Sequence, residues 1–202
     1  MIKKTIIISA LLSIISCSQN IKSQNINNKE DNNMNRNTQM PDNVKYAYFS
    51  SGCFWGTEYW FEKSKGVLSV VSGYAGGHKV NPTYYEVCTG LTGHLETVRV
   101  AYDPDKTSYE ELVKLFFETH DFTQKNGQGP DIGPQYLSAV FYQNDEEKKI
   151  AEKYVQILRD KNYDVATSVR EYKNFYEAED YHQDYYAKKG SMPYCHFYTK
   201  IF

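Results

Sequence analysis

The sequence predicts an α+β protein in which strands and helices share two layers, and two observations carry that expectation. From Tyr46 onward, apolar spacing switches back and forth between the period of a strand and the period of a helix. All of the aromatic residues, 19 Tyr, 10 Phe and 2 Trp, lie at or after Tyr46, so a single core belongs to residues 45–202. No repeat of solenoid or propeller length is present in the chain.

The elements follow in order. Residues 46–51 are a short apolar run, a buried strand that stops at Gly52. Residues 55–63 read as a helix, with Trp60 and Phe61 supplying its apolar bulk. Residues 67–74 are β-branched and strand-like; Ala75-Gly76-Gly77 breaks them, and Asn81-Pro82 marks a turn. Residues 94–102 hold the alternating strand Thr97-Val98-Arg99-Val100, and Asp103-Pro104 turns the chain. Ser108 and Glu111 have capping-box spacing ahead of Leu112, Leu115 and Phe116 on one helical face. Residues 122–135 are a loop, and 138–142 a strand. Asn144 caps a helix with an acidic first turn, whose stripe is Ile150, Ala151, Tyr154, Ile157 and Leu158. Residues 166–171 form a last strand, and the final thirty residues are Tyr-rich and irregular. The expected fold is therefore α+β (mixed α/β): a two-layer βαβ ferredoxin-like core with extensive loops and an irregular C-terminal segment.

The N-terminal part is of another kind. Lys3 and Lys4 precede an apolar run over 5–15, much shorter than the roughly 20 residues a spanning helix needs. Its end, Ser13-Ile14-Ile15-Ser16-Cys17, resembles the lipobox of bacterial lipoproteins. That resemblance implies a signal over 1–17, lipidation at Cys17, and a membrane anchor that does not span. Residues 18–44 contain nine Asn and almost no apolar bulk, a composition too poor in burial to offset the entropy of ordering. They read as a disordered tether for the head at 45–202. The expected location is the cell envelope, lipid-anchored on the periplasmic or surface side of a bacterial membrane. A net charge of −2 argues against nucleic-acid binding, and no glycine-rich nucleotide loop follows a strand.

The candidate chemistry starts at Cys53. It stands in Ser51-Gly52-Cys53-Phe54-Trp55-Gly56, between a strand and a helix. There the free N–H groups and the helix dipole favour a thiolate. On position alone, a reactive thiol and a buried structural cysteine both remain open.

The segment Gly52-Cys53-Phe54-Trp55-Gly56 resembles the signature of the peptide methionine sulfoxide reductase A family. Further segments match in the same order: Gly73-Tyr74-Ala75-Gly76-Gly77, Asn81-Pro82-Thr83-Tyr84, Glu86-Val87-Cys88, Gly93-His94-Leu95-Glu96, His120-Asp121, Gln128-Gly129, Asp131 with Gly133, Gln135-Tyr136, and Ala178-Glu179-Asp180-Tyr181-His182-Gln183. The resemblance implies thiol-dependent reduction of the S epimer of methionine sulfoxide, free or in oxidised peptides and proteins. Cys53 is then the nucleophile, and Phe54 with Trp55 seats the methyl group. Glu96 is the acid, Tyr84 and Tyr136 donate to the sulfoxide oxygen, and Asp131 is an accessory carboxylate. Cys195, on a mobile C-terminal segment, is the resolving thiol for the Cys53 sulfenic acid. A thioredoxin-like protein recycles the Cys53–Cys195 disulfide, and no bound cofactor and no metal is required. Cys88 matches a family cysteine not required for turnover; it is expected to be buried and inert, with a second resolving role left open. A monomer is expected. Without the resemblance, Glu96 would be an ordinary solvated carboxylate, and Tyr84 and Tyr136 two aromatics among many.

The chain departs from the family pattern at Leu137, where Arg is common, and at Phe122, where Pro is common. A further recycling cysteine after Cys195 and an appended partner domain are not expected. The rival reading is a cell-envelope Cys–His hydrolase pairing Cys53 with His94, His120, His182 or His196. An anchored binding module built on tyrosines is a weaker alternative.

Overall fold

The computed structural model describes residues 41–202; the signal-like segment, Cys17 and most of the tether lie outside the described residues. The last tether residues turn back on the head. The Val44 N–H donates to the Pro41 carbonyl at 3.3 Å, and the Asn43 side chain donates to Asp105 at 3.2 Å.

The strands β1 (Lys45–Ser51), β2 (Val67–Ala75), β3 (Leu95–Tyr102), β6 (Ser138–Tyr142), β7 (Ser168–Glu171) and β8 (Phe175–Glu177) form one mixed sheet in the order β7-β6-β1-β3-β2-β8. The four central strands, β6, β1, β3 and β2, pair antiparallel with one another. Helix α1 (Phe54–Glu62) connects β1 to β2, and α3 (Tyr109–Glu118) lies between β3 and β6. This is the expected split βαβ arrangement. At the edges, β7 adds parallel to β6 and β8 adds antiparallel to β2.

Strand alternation decides the two faces. Ala47, Phe49, Val98, Val100 and Val140 face α1, α3 and α4 (Asp145–Asp160) and form the main core with Phe61, Leu112 and Phe116. Phe49 stacks on Phe61 with ring centroids 4.9 Å apart. Tyr48, Ala75, Leu95, Ala139 and Phe141 point the other way into a smaller cluster that Leu137 helps cover. Leu137 thus takes the place of a charged side chain with apolar packing. Phe122 is likewise buried, edge-on between Phe117 and Tyr163.

Several local expectations are corrected. In α1 the buried stripe is Phe54, Thr57, Glu58 and Phe61; Trp60 is only half-buried and meets Tyr59 edge-on. Ser108 accepts the Glu111 N–H at 3.2 Å, but the Glu111 carboxylate turns to Lys114. A full capping box forms instead at Thr83 and Glu86, opening the short helix α2 (Tyr84–Cys88) after the Asn81-Pro82 turn. Val155 joins the buried stripe of α4, while Ile150 and Ile157 sit at its margin. The 122–135 loop contains the two-residue strands β4 (Gly127–Gln128) and β5 (Asp131–Ile132), followed by a 3-10 turn, Pro134–Tyr136. The last thirty residues are more regular than expected: they hold β8, a 3-10 turn at Asp180–His182, and α5 (Tyr185–Lys189).

The C-terminal segment is not a loose arm. The N–H groups of Ile201 and Phe202 both donate to one carboxylate oxygen of Glu118 at 2.9 Å, and Thr199 N–H donates to the Glu118 carbonyl at 2.7 Å. The Phe202 ring rests edge-on against Tyr154.

Candidate active site

Cys53 is the N-cap residue of α1. Its carbonyl accepts the Gly56 and Thr57 N–H groups at 3.1 and 3.3 Å, so the sulfur stands at the open end of the helix. Gly52, at φ +93°, makes the turn out of β1, and a Cβ there would run into the Gln128 side chain. The position is as expected; the charge state is not. Hydrogen bonding to the Cys195 thiol, then burial, push the Cys53 thiol well above its ordinary range. The Trp55 backbone N–H works in the opposite direction and does not prevail.

Glu96 lies on β3 opposite Tyr74 of β2, with only 2% of its surface exposed. Its Oε2 accepts the Phe54 N–H at 3.0 Å, which ties the carboxyl to the residue after Cys53. Burial pushes Glu96 well above the usual carboxylate range against that N–H. The shift favours the protonated carboxyl, the form an acid needs.

Tyr84 opens α2, and Tyr136 closes the 3-10 turn before β6. Burial raises both phenols, and for Tyr84 the hydrogen bond with Cys88 adds to it, so their hydroxyls stay protonated and remain donors. Glu179 fixes this wall. Its two oxygens accept the Tyr84 N–H at 3.0 Å and the Tyr74 hydroxyl at 2.9 Å. Burial opposes ionisation of Glu179, yet these donors hold its carboxyl below the usual range.

Phe54 is buried with its ring 4.9 Å from that of His182, whereas Trp55 is half-buried and stacks on Tyr185 at 3.7 Å. The Trp55 indole N–H donates to His182 Nδ1 at 3.2 Å, and the Tyr84 ring lies 4.4 Å from the same imidazole. His182 thus organises the aromatic wall. Asp131, on β5, accepts the Tyr194 hydroxyl at 3.1 and 3.2 Å on its two oxygens.

Cys195 is buried beside Cys53. Gln128 Nε2 donates to its carbonyl at 2.8 Å, and its Sγ lies 3.1 Å from His196 Nδ1. Together with the Glu118 anchor, these contacts seat the segment that carries Cys195 against the rest of the head. Cys88 is corrected: it is exposed, and its thiol hydrogen-bonds the Tyr84 side chain. Glu179, Tyr194 and Gln128 had no role in the sequence reading, and His182 and His196 entered it only as hydrolase candidates. Only their place inside or beside matched motifs marked them.

The four candidate histidines of a hydrolase are engaged elsewhere. His94 holds Lys79 O and Gly77 N–H, His120 holds Phe116 O and Ser138 Oγ, and His182 takes the indole. His196 faces Cys195 and the Ser51 carbonyl. None of them hydrogen-bonds the Cys53 sulfur.

Two adjoining thiols, a buried carboxyl and phenol donors on a split βαβ scaffold fit a thiol-dependent reductase. The chain belongs to the peptide methionine sulfoxide reductase family, whose model matches residues 45–202. It is 47% identical over 159 residues to peptide methionine sulfoxide reductase MsrA of Thermus thermophilus, covering 78% of this chain and 89% of that protein. The fold matches Mxr1 from Saccharomyces cerevisiae in reduced form with a TM-score of 0.73 and 34% identity, over 78% of this chain and 93% of that one. Mxr1 in complex with Trx2 matches with a TM-score of 0.54 and 26% identity, over 78% and 91% of the two chains.

Proposed function

We propose that the enzyme reduces methionine-S-sulfoxide, free and in peptides and proteins, to methionine, with Cys53 as nucleophile. The observation that carries this reading is the buried Glu96 carboxyl, which accepts at 3.0 Å the N–H of Phe54, the residue after Cys53. The Cys53 sulfur attacks the sulfoxide sulfur while Glu96 protonates its oxygen and Tyr84 and Tyr136 donate to it. The oxygen then passes from the substrate sulfur to Cys53: the O–Cys53 bond forms as the substrate S–O bond and the transient S–S bond break, which leaves methionine and a Cys53 sulfenic acid, and the Cys53 proton restores Glu96. Trp55 offers the accessible part of the methyl seat, backed by Phe54. Asp131 acts on the oxygen side through its bond to Tyr194.

Cys195 then condenses with the sulfenic acid, releasing water and leaving a Cys53–Cys195 disulfide. A thioredoxin-like dithiol exchanges with that disulfide; the yeast relative crystallised with Trx2 supports such a partner. The test is turnover of each sulfoxide epimer by wild type, Cys53→Ser and Cys195→Ser. The reading requires S-epimer activity, none in Cys53→Ser, and a stop after one equivalent with thioredoxin in Cys195→Ser. Activity surviving in Cys53→Ser overturns it.

The segment ahead of the head supports a lipid anchor at Cys17 and work on exported proteins, with the Asn-rich stretch as a tether. The reductant would then be a thioredoxin-like protein of the envelope. Fatty-acid labelling of the full chain in bacteria checks this: label lost in Cys17→Ser supports the anchor, and an unlabelled wild type refutes it.

A further inference from the structure

We propose that His196 is the general base of the resolving step, taking the proton from Cys195 as that thiol attacks the Cys53 sulfenic acid. The inference rests on the reading of Cys195 as the resolving thiol and adds the group that activates it.

The hydrogen bonds fix the tautomer. His196 Nε2 lies 2.7 Å from the Ser51 carbonyl oxygen, which can only accept, so Nε2 carries the ring proton. Nδ1 is then the lone-pair nitrogen, and it stands 3.1 Å from Cys195 Sγ, so the thiol donates to it. The imidazole is buried and its seat is built for it. A Cβ on Gly56 would collide with Nδ1, and that bare point in α1 is where the ring rests. A glycine inside a helix costs about 1 kcal/mol relative to alanine, a cost the seat explains. Burial pushes His196 down to about 4, so the ring is neutral at physiological pH and Nδ1 is free to accept. The titratable groups around it are Cys195 and Asp131, whose charge favours the imidazolium, and His120, which disfavours it.

The step balances. The Cys195 Sγ–Cys53 Sγ bond forms as the S–O bond of the sulfenic acid breaks. The thiol proton passes to Nδ1, and the departing hydroxide takes a proton from Glu96 to leave as water. The imidazolium then gives its proton back through solvent to Glu96. Nothing beyond the two sulfurs changes oxidation state.

The experiment is a single turnover on methionine sulfoxide in which sulfenic acid, trapped with dimedone, and disulfide are both followed over time. The full chain is used as wild type, His196→Gln and Cys195→Ser. In His196→Gln the disulfide rate relative to the sulfenic acid rate should fall at least about tenfold, in line with the 10²–10⁴ range of general-base effects. The wild-type disulfide rate should be flat from about pH 6 to 8 and fall in acid as Nδ1 takes a proton, whereas an unassisted thiol would speed up about tenfold per pH unit towards ~8.5. The wild-type profile needs no variant to fold. A relative rate in His196→Gln within about twofold of wild type, or a wild-type rate rising tenfold per unit, overturns the inference while leaving Cys195 as resolving thiol. Disulfide still forming in Cys195→Ser overturns the reading beneath it.

Discussion

Glu96 and Phe54 are joined by a 3.0 Å hydrogen bond from the first N–H of α1 to a carboxyl that the fold keeps buried. The contact places an acid beside the nucleophile, and it does so at a cost to stability. In the unfolded chain Glu96 ionises near its ordinary value, while in the fold burial holds the proton on. Folding above the unfolded pKa therefore takes up a proton, and stability falls as pH rises from there towards the raised folded pKa. Glu96→Gln should lower turnover by about 10²–10⁴. The same variant should be more stable than wild type at pH 8, where the cost of holding the carboxyl out of water is present. Activity assays and urea midpoints check the pair; a variant that is both inactive and less stable contradicts the account.

Removing the neighbouring thiol should waken Cys53. The Cys195 thiol is the largest influence raising Cys53, so Cys195→Ala moves the Cys53 pKa down. Each unit raises the thiolate fraction about tenfold below the pKa. Iodoacetamide labelling of Cys53 at pH 8, followed by peptide mass spectrometry, should run about tenfold faster in the variant. Equal labelling rates would show that Cys195 does not hold the proton.

Glu58 should dominate a second pH effect, away from the chemistry. It is buried in α1, one of its carboxylate oxygens has no partner, and burial, with Glu62 and Asp184 adding, pushes it up to about 7. Its folded pKa lies above its unfolded one, so its contribution declines from about pH 4.5 to 7 and is level beyond. Glu58→Gln should flatten that slope and stabilise the protein at pH 8 by on the order of 3 kcal/mol. Denaturation midpoints at pH 5, 6, 7 and 8 measure it. A slope unchanged in the variant assigns the effect elsewhere.

The tail anchor can be cut at one atom group. Burial works against ionisation of Glu118, but the N–H groups of Phe202 and Ile201 hold it below the usual carboxylate range. That stabilisation is present above the unfolded pKa and disappears as pH falls through the folded one. Glu118→Gln should cost about 1–3 kcal/mol at pH 7 and open the last residues to carboxypeptidase. Digestion at the wild-type rate would mean the tail is held by something else.

Long-period patterns were legible and short elements were not. β1, β3 and α4 announce themselves by alternation or by a capped stripe, and each appears within a residue or two. The helix at Tyr84–Cys88 is too short to persist on its own spacing; it depends on its capping box and on Glu179, far along the chain. β8 exists because the edge of β2 offers it partners. Of the two apolar residues that composition offers α1, Phe61 is buried and Trp60 is not, because the helix turns only one of two adjacent positions inward. Cys53 and Glu96 were readable from motifs, but the protonation of Cys53 was not, because a helix N-terminus pulls one way and a thiol from the other end of the chain pulls harder.

The Gln128–Cys195 bond, the imidazole seat on Gly56 and the Glu118 clamp have a joint consequence for damage by peroxide. A sulfenic acid formed at Cys53 has the Cys195 thiol beside it, so closure into a disulfide competes directly with a second oxidant molecule for the route to the irreversible sulfinic and sulfonic rungs. A repair enzyme built in this way is guarded against the very agents whose injuries it mends.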